Sequence, residues 1–228
     1  FEFPTVSALA RRLQPAESET QRITTAPAPR QKDEPIAIIG LAGRFPGAAD
    51  AESFFQNLCA GVEAISRFSD DELLASGVPA ELLRNPHYVK AAGAVEDVDQ
   101  FDAAFFGFSP RDAAQLDPQH RLFLECAWHA LENAGCDPQR AAGPIGVFAG
   151  ASLSAYYRKN IVPALGTGGD ASAFQAAMGN QCDFLATQVS YKLDLKGPSF
   201  TVQTACSTSL VAVDLACREL RSGRCQIA

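Results

Sequence analysis

Short apolar runs alternate with amphipathic stretches along the chain, and the alternation becomes regular from residue 35. Pro35 to Ile39 is near-continuously apolar, the pattern of a strand buried on both faces. Gly40, Gly43 and Gly47 then make a turn region. Asp50 is placed to cap a helix through about residue 60, with Phe54, Phe55 and Leu58 inward. Residues 65–104 mix short helical pieces, loops and turn residues. Asp117-Pro118 is a strong helix start, with Asp as cap and Pro at the first helical position. Leu122, Cys126, Ala130 and Ala134 follow at steps of four, flanked by Phe123, Ala127 and Leu131, and Gly135 ends that helix. The pattern predicts a second buried strand at Ile145–Ala149, a helix over 180–192 and a third strand from Pro198 to Gln203. A last helix runs from about 206 to 221, and Cys225 to Ala228 reads as the start of another strand. Strands alternating with helices predict an α/β layered fold.

The first 34 residues read differently. In residues 1–13, Val6, Leu9, Ala10 and Leu13 form one helical stripe after Pro4, a short amphipathic helix too small to bury itself. Residues 14–34 are rich in Pro, Thr, Glu, Gln and Arg, and such a composition cannot offset its ordering entropy. They read as a linker, leaving 35–228 as the globular part. Five basic and five acidic residues cancel in 1–34, so the whole net charge of −7 belongs to 35–228.

That acidic balance argues against nucleic acid as a partner. No run of about 18 apolar residues predicts a membrane-spanning helix. The seven cysteines include no CxxC pair, which excludes a zinc knuckle or thioredoxin-type motif. With no basic, apolar signal segment, free thiols in a reducing cytoplasmic setting are expected. The chain opens at Phe1 rather than Met, which reads as ends cut from something longer.

The chemistry concentrates at Thr204-Ala205-Cys206-Ser207-Thr208-Ser209-Leu210. Leu210, Val213, Cys217 and Leu220 mark the apolar stripe of a helix, and four positions before Leu210 stands Cys206. Cys206 is thus expected at the first turn of a buried helix, directly after strand 198–203. The first amides of a helix lack intrahelical partners, and the macrodipole is positive there. Both favour a thiolate, and the same amides can hold an oxyanion formed when sulfur attacks a carbonyl. A nucleophile at a strand-turn-helix corner follows the logic of the nucleophile elbow. Cys126 and Cys217 sit on apolar stripes and read as core; Cys59, Cys136, Cys182 and Cys225 have no supporting context. His87, His120 and His129 are read as structural or solvated, and none as a catalytic base.

Two weaker signals fail on spacing. The Gly40, Gly43, Gly47 series has Ala42 where a dinucleotide turn needs its second Gly. The Asp70-Asp71-Glu72 and Glu96-Asp97 clusters lack calcium-loop spacing and read as solvated surface, so no metal site is expected.

Four stretches carry a family resemblance: EPIAIIGLAGRFPGA (34–48), FDAAFFGFSPRDAAQLDPQHRLFLECAWHALENAG (101–135), DFLATQVSYKLDLKGPS (183–199) and TVQTACSTSLVAV (201–213). In this order they resemble the N-terminal half of a β-ketoacyl synthase domain of a modular polyketide synthase. The resemblance implies the N-terminal half of a thiolase-like layered α-β-α fold. It maps the family's acyl-accepting cysteine, in a TACSSSL-type motif, onto Cys206, with Thr208 in place of the middle Ser. Where some relatives carry a basic residue shortly before DFL, this chain has Cys182.

By the same resemblance, Cys206 accepts an acyl group from a carrier thioester. The acyl-enzyme is then attacked by the carbanion equivalent of a decarboxylating malonyl-type thioester. The implied partners are acyl carrier domains bearing acyl and malonyl-type thioesters on phosphopantetheine, an adjacent acyltransferase domain, and a second copy in a homodimer. No cofactor is expected on the chain itself. The family's two downstream histidines, in HGTGT-like and GH motifs, do not occur in the 22 residues after Cys206. A truncated domain, inactive and exposing apolar surface by itself, is therefore expected. Residues 1–13 are similar to the closing helix of an acyl carrier domain, with the pattern F-x-x-P-T-V-x-x-L-A-x-x-L. Two other readings stay open: a catalytically silent assembly module, and a module that holds a carrier domain or acyl chain without chemistry.

Overall fold

A computed structural model describes residues 34–165 and 171–228. The expected helix 1–13 and almost all of the linker lie outside the described residues.

Helix α1 (Ala51–Ala60) starts at the expected cap: Asp50 accepts from the Ser53 amide at 2.8 Å, and Ser53 Oγ accepts from the Asp50 amide. Strand β1 (Ser66–Arg67) is followed by α2 (Asp70–Ala75), capped by Ser69, and by α3 (Ala80–Leu83). Strand β2 (Ala91–Ala92) returns antiparallel to β1. These small pieces fill the mixed region 65–104.

Helix α4 (Pro110–Gln115) leads into α5 (Pro118–Asn133), where Asp117 accepts from the Gln119 amide at 2.7 Å. Strand β3 (Val147–Ala149) follows, then a π-helical turn at Tyr157–Ile161. Next come α6 (Ala171–Met178) and, after a 3₁₀ turn at Cys182–Phe184, α7 (Leu185–Lys192). Strand β4 (Ser199–Thr201) pairs parallel with β3, Val147 opposite Ser199 and Ala149 opposite Thr201. A 3₁₀ turn at Ala205–Ser207 opens α8 (Thr208–Arg221). The closing residues extend the parallel pairing, with Ile227 bridging Ile145.

The period-2 alternation of β3 divides two layers. Val147 and Ala149 join Leu124 of α5 and Leu185, Ala186 and Val189 of α7 in the core. Phe101, Phe106, Phe108 and Trp128 pack around that cluster. Phe148 takes the other face, beside Phe200 and α8. The result is a layered α-β-α arrangement.

Three expectations change. Pro35–Ile39 pairs with no strand among the described residues, and Ile38 is 90% exposed. A doubly buried strand needs neighbours on both edges and both faces, and the chain meets α5 just after this segment, at Gly40 and at Leu41, whose amide donates to Asn133 Oδ1 at 3.0 Å. A Cβ at Gly40 would fall within contact distance of the Ala130 carbonyl. Phe54 stacks on Phe45 as expected, but Phe55 and Leu58 face outward because nothing described packs on that side of α1. On α5 the most buried face is His120, Arg121 and Leu124 rather than the Leu122–Cys126–Ala130 stripe.

Candidate active site

The corner between β4 and α8 is built by four short interactions. Val202 donates its amide to Ala149 O at 2.7 Å, continuing the β3–β4 pairing to the end of the strand. Gln203 Nε2 donates to Ala151 O at 2.6 Å. Thr204 donates its amide to Thr208 Oγ1 at 3.0 Å, and Ser207 Oγ donates back to Thr204 O at 2.9 Å. Between them Ala205 has φ +53, a left-handed conformation that costs a non-glycine residue of the order of 1 kcal/mol. Strain of this kind persists only where its surroundings hold it, and the residue it presents is Cys206.

Cys206 is exposed. No group among the described residues accepts from its amide, so the N–H stays available beside the sulfur. The elbow geometry expected from the sequence is present, with one change: the residue stands in a 3₁₀ turn just before α8 rather than inside the helix. The helix it introduces is also less buried than expected. Ala212, Glu219 and Leu220 form its inner face, while Leu210 is 74% exposed.

Gly150 makes the corner possible. A side chain there would enter contact distance of the Thr208 methyl and the Val202 carbonyl, so the loop after β3 can approach only without one. That loop and the elbow wall a cavity of about 1260 Å³. Cys206, Phe148, Leu153, Val213, Arg158 and Asp183 are among its lining residues.

Cys182, without supporting context along the chain, lines the same cavity. Its thiol donates to Ser152 O at 3.2 Å and to Ala151 O at 3.5 Å, the carbonyl that Gln203 also uses. Burial pushes its pKa up, and the carboxylates of Asp117 and Asp183 push the same way. The two thiols of one cavity thus differ: Cys182 is a protonated donor that pins the wall, and Cys206 is a free sulfur on a strained turn. The one sequence signal for Cys182 is the basic residue that some relatives carry at its place.

The other cysteines take ordinary positions. Cys126 and Cys217 are half-buried, less enclosed than their stripes suggested, and burial raises the Cys126 pKa. Cys225, without context in the sequence, is the buried one. His87 and His129 are exposed. His120 is buried with Nδ1 3.0 Å from Gln188 Oε1, and burial lowers its pKa, partly offset by that bond. Among the described residues no cluster of three or more His, Cys, Asp or Glu is arranged to hold a metal, and no helix is long and apolar enough to cross a membrane.

Residues 33–228 match the family described as beta-ketoacyl synthase, N-terminal domain. The chain is 50% identical over 199 residues to a phenolphthiocerol/phthiocerol polyketide synthase of Mycobacterium tuberculosis, covering 85% of this chain and 13% of that protein. It is 40% identical over 240 residues to polyketide synthase GfsE of Streptomyces halstedii, covering 100% of this chain and 6% of that one. Among solved structures, ketosynthase twelve of the bacillaene polyketide synthase from Bacillus amyloliquefaciens superposes with a TM-score of 0.71 at 36% identity. That match covers 83% of this chain and 33% of the ketosynthase, so the chain spans about a third of such a domain.

Proposed function

The chain belongs to the beta-ketoacyl synthase family, matching its N-terminal domain, and on that premise we propose that Cys206 is the acyl-accepting nucleophile of a polyketide-building ketosynthase. The observation that carries this reading is an exposed sulfur on a strained turn, with an unengaged amide beside it, opening on a large cavity.

The thiolate attacks the carbonyl carbon of an acyl thioester delivered by a carrier domain. The tetrahedral oxyanion leans on the Cys206 amide, the C–S bond to the carrier arm breaks, and the arm's thiol leaves with a proton. A malonyl-type thioester then loses carbon dioxide, and its α-carbon attacks the acyl group on Cys206. The new C–C bond extends the chain by two backbone carbons and returns the free thiol. Proton handling in the second half belongs to the family's HGTGT-like and GH histidines, which this sequence does not contain. His120 is no substitute, being buried against Gln188.

The partners of this reaction are acyl carrier domains whose phosphopantetheine bears the acyl and malonyl-type groups. An acyltransferase domain chooses the extender, and a second copy completes a homodimer. Residues 1–13 are read as the closing helix of a carrier domain and 14–34 as the linker. The alignment with the Streptomyces halstedii synthase runs across the whole chain, residues 1–34 included. The protein works on carrier-bound intermediates in the cytoplasm, with no cofactor of its own.

In the full-length polypeptide, an activated acyl thioester adds its acyl mass to the peptide carrying Cys206, and Cys206→Ala abolishes the adduct without unfolding the domain. An adduct on Cys126 or Cys217 instead sinks the assignment. A silent assembly or carrier-holding module acquires no adduct at all.

A further inference from the structure

We propose that Arg158 is the anion-recognising residue of the Cys206 cavity, taking an acidic group carried by the incoming thioester. The proposal rests on the reading of Cys206 given above and names a second chemistry in the same cavity.

Among the described residues Arg158 is the one cation that lines this cavity, in a chain of net charge −7. Several other cations are engaged elsewhere. Arg44 pairs with Glu125, Lys90 with Asp70, Arg218 with Asp214 and Arg224 with Glu219. Arg121 lies over the Tyr156 ring and Lys192 over that of Phe108. No carboxylate among the described residues comes within ion-pair distance of Arg158. A guanidinium keeps its charge at any working pH, and its fork of donors fits a phosphate or a carboxylate.

The backbone that carries it is fixed. Tyr157 donates its amide to Ser154 Oγ at 2.9 Å, and Tyr156 Oη donates to Ala114 O at 2.6 Å. Arg158 thus projects from an anchored π-helical turn, a backbone form that recurs at functional sites. Among the described residues Asp183 is the one acidic side chain in the lining, and it repels an anion from its own part of the wall. The cavity is therefore polarised: a neutral thioester carbon is accepted at Cys206, and a negative group is accepted at Arg158. A carrier-delivered substrate offers two such groups, the phosphate of its prosthetic arm and a carboxylate on the acyl unit.

The experiment follows acylation of Cys206 by mass in the full-length polypeptide. Butyryl phosphopantetheine, butyryl pantetheine and glutaryl pantetheine are compared in the native protein, Arg158→Ala and Arg158→Lys. If the arm's phosphate is the anion, Arg158→Ala slows only the phosphopantetheine thioester, about tenfold and through KM. Arg158→Lys then recovers part of the loss, since the ammonium keeps the charge without the fork. If an acyl carboxylate is the anion, only the glutaryl substrate slows. Equal slowing of all three substrates, or of none, overturns the proposal.

Calorimetric binding of phosphopantetheine and pantetheine to Cys206→Ala, with and without Arg158→Ala, separates the two readings. An Arg158-dependent preference for the phosphorylated arm, in a protein whose Cys206 is never acylated, overturns the nucleophile and leaves Arg158 standing. Acylation of Cys206 without any Arg158 dependence does the reverse.

Discussion

Residues 34–100 and residues 101–202 have comparable apolar content but different fates. In the first region Ala48 and Leu83 are the buried apolar residues, while Ile38, Ile39, Leu41, Phe55, Leu58 and Val89 face outward. In the second, α5, α7 and the β3–β4 pair bury Leu124, Leu185, Ala186 and Val189 almost completely. Hydrophobicity decides which residues are able to form a core, and partners decide which do. The first region has cap chemistry and turns that hold its pieces locally. The second has three layers that cover one another.

The sharpest break of that contrast is a pair of truncations. Leu124→Ala is expected to cost about 3 kcal/mol in urea unfolding, whereas Ile38→Ala costs under about 0.5 kcal/mol. Similar losses at both positions would erase the distinction. Next comes Gly150→Ala, where the added methyl meets Thr208 and the Val202 carbonyl. It is expected to cost about 2 kcal/mol and to slow acylation of Cys206 by thioesters, read by denaturation and mass together.

A smaller effect is a pH slope from the core side. Burial favours neutral His120, so the folded protein binds its proton less readily than the unfolded chain, whose imidazole keeps the ordinary value of 6.5. The stability this contributes is complete above pH 6.5 and is lost as pH falls below it. Denaturation midpoints across that range should decline, and the decline should be shallower in His120→Gln. A slope unchanged in that variant would move its origin elsewhere. The smallest effect joins the two regions: Arg44→Gln removes the 3.3 Å pair with Glu125 and the bond to Glu96 O. It is expected to cost about 0.5 kcal/mol, checked by the same melts.

Much of the architecture is legible in the chain because its signals are local. Asp50 and Asp117 cap the helices they are expected to cap, since an Asx cap needs only the next few amides. Ile145–Ala149 and Pro198–Gln203 fall in or beside the parallel pair. The corner at Cys206 is legible for the same reason: strand, small polar turn and helix are contiguous. What escapes reading depends on distant partners. Whether Ile38 or Leu210 is covered depends on chain remote in sequence. Cys182 and Arg158 reach the cavity of Cys206 only once the 150–158 loop and the 182–184 turn are folded beside the elbow. No spacing rule links position 158 or 182 to position 206.

The left-handed turn at Ala205 limits how this corner can be remodelled. Beyond glycine, such backbone is carried most readily by Asn or Asp, as at Asp97 and Asp194, and a β-branched residue there would oppose the bend that lifts the sulfur. Redesign of what the cavity accepts is therefore better aimed at the loop from Ser152 to Arg158, at a lining side chain such as Leu153 that holds none of the bonds at the hinge on which Cys206 is mounted.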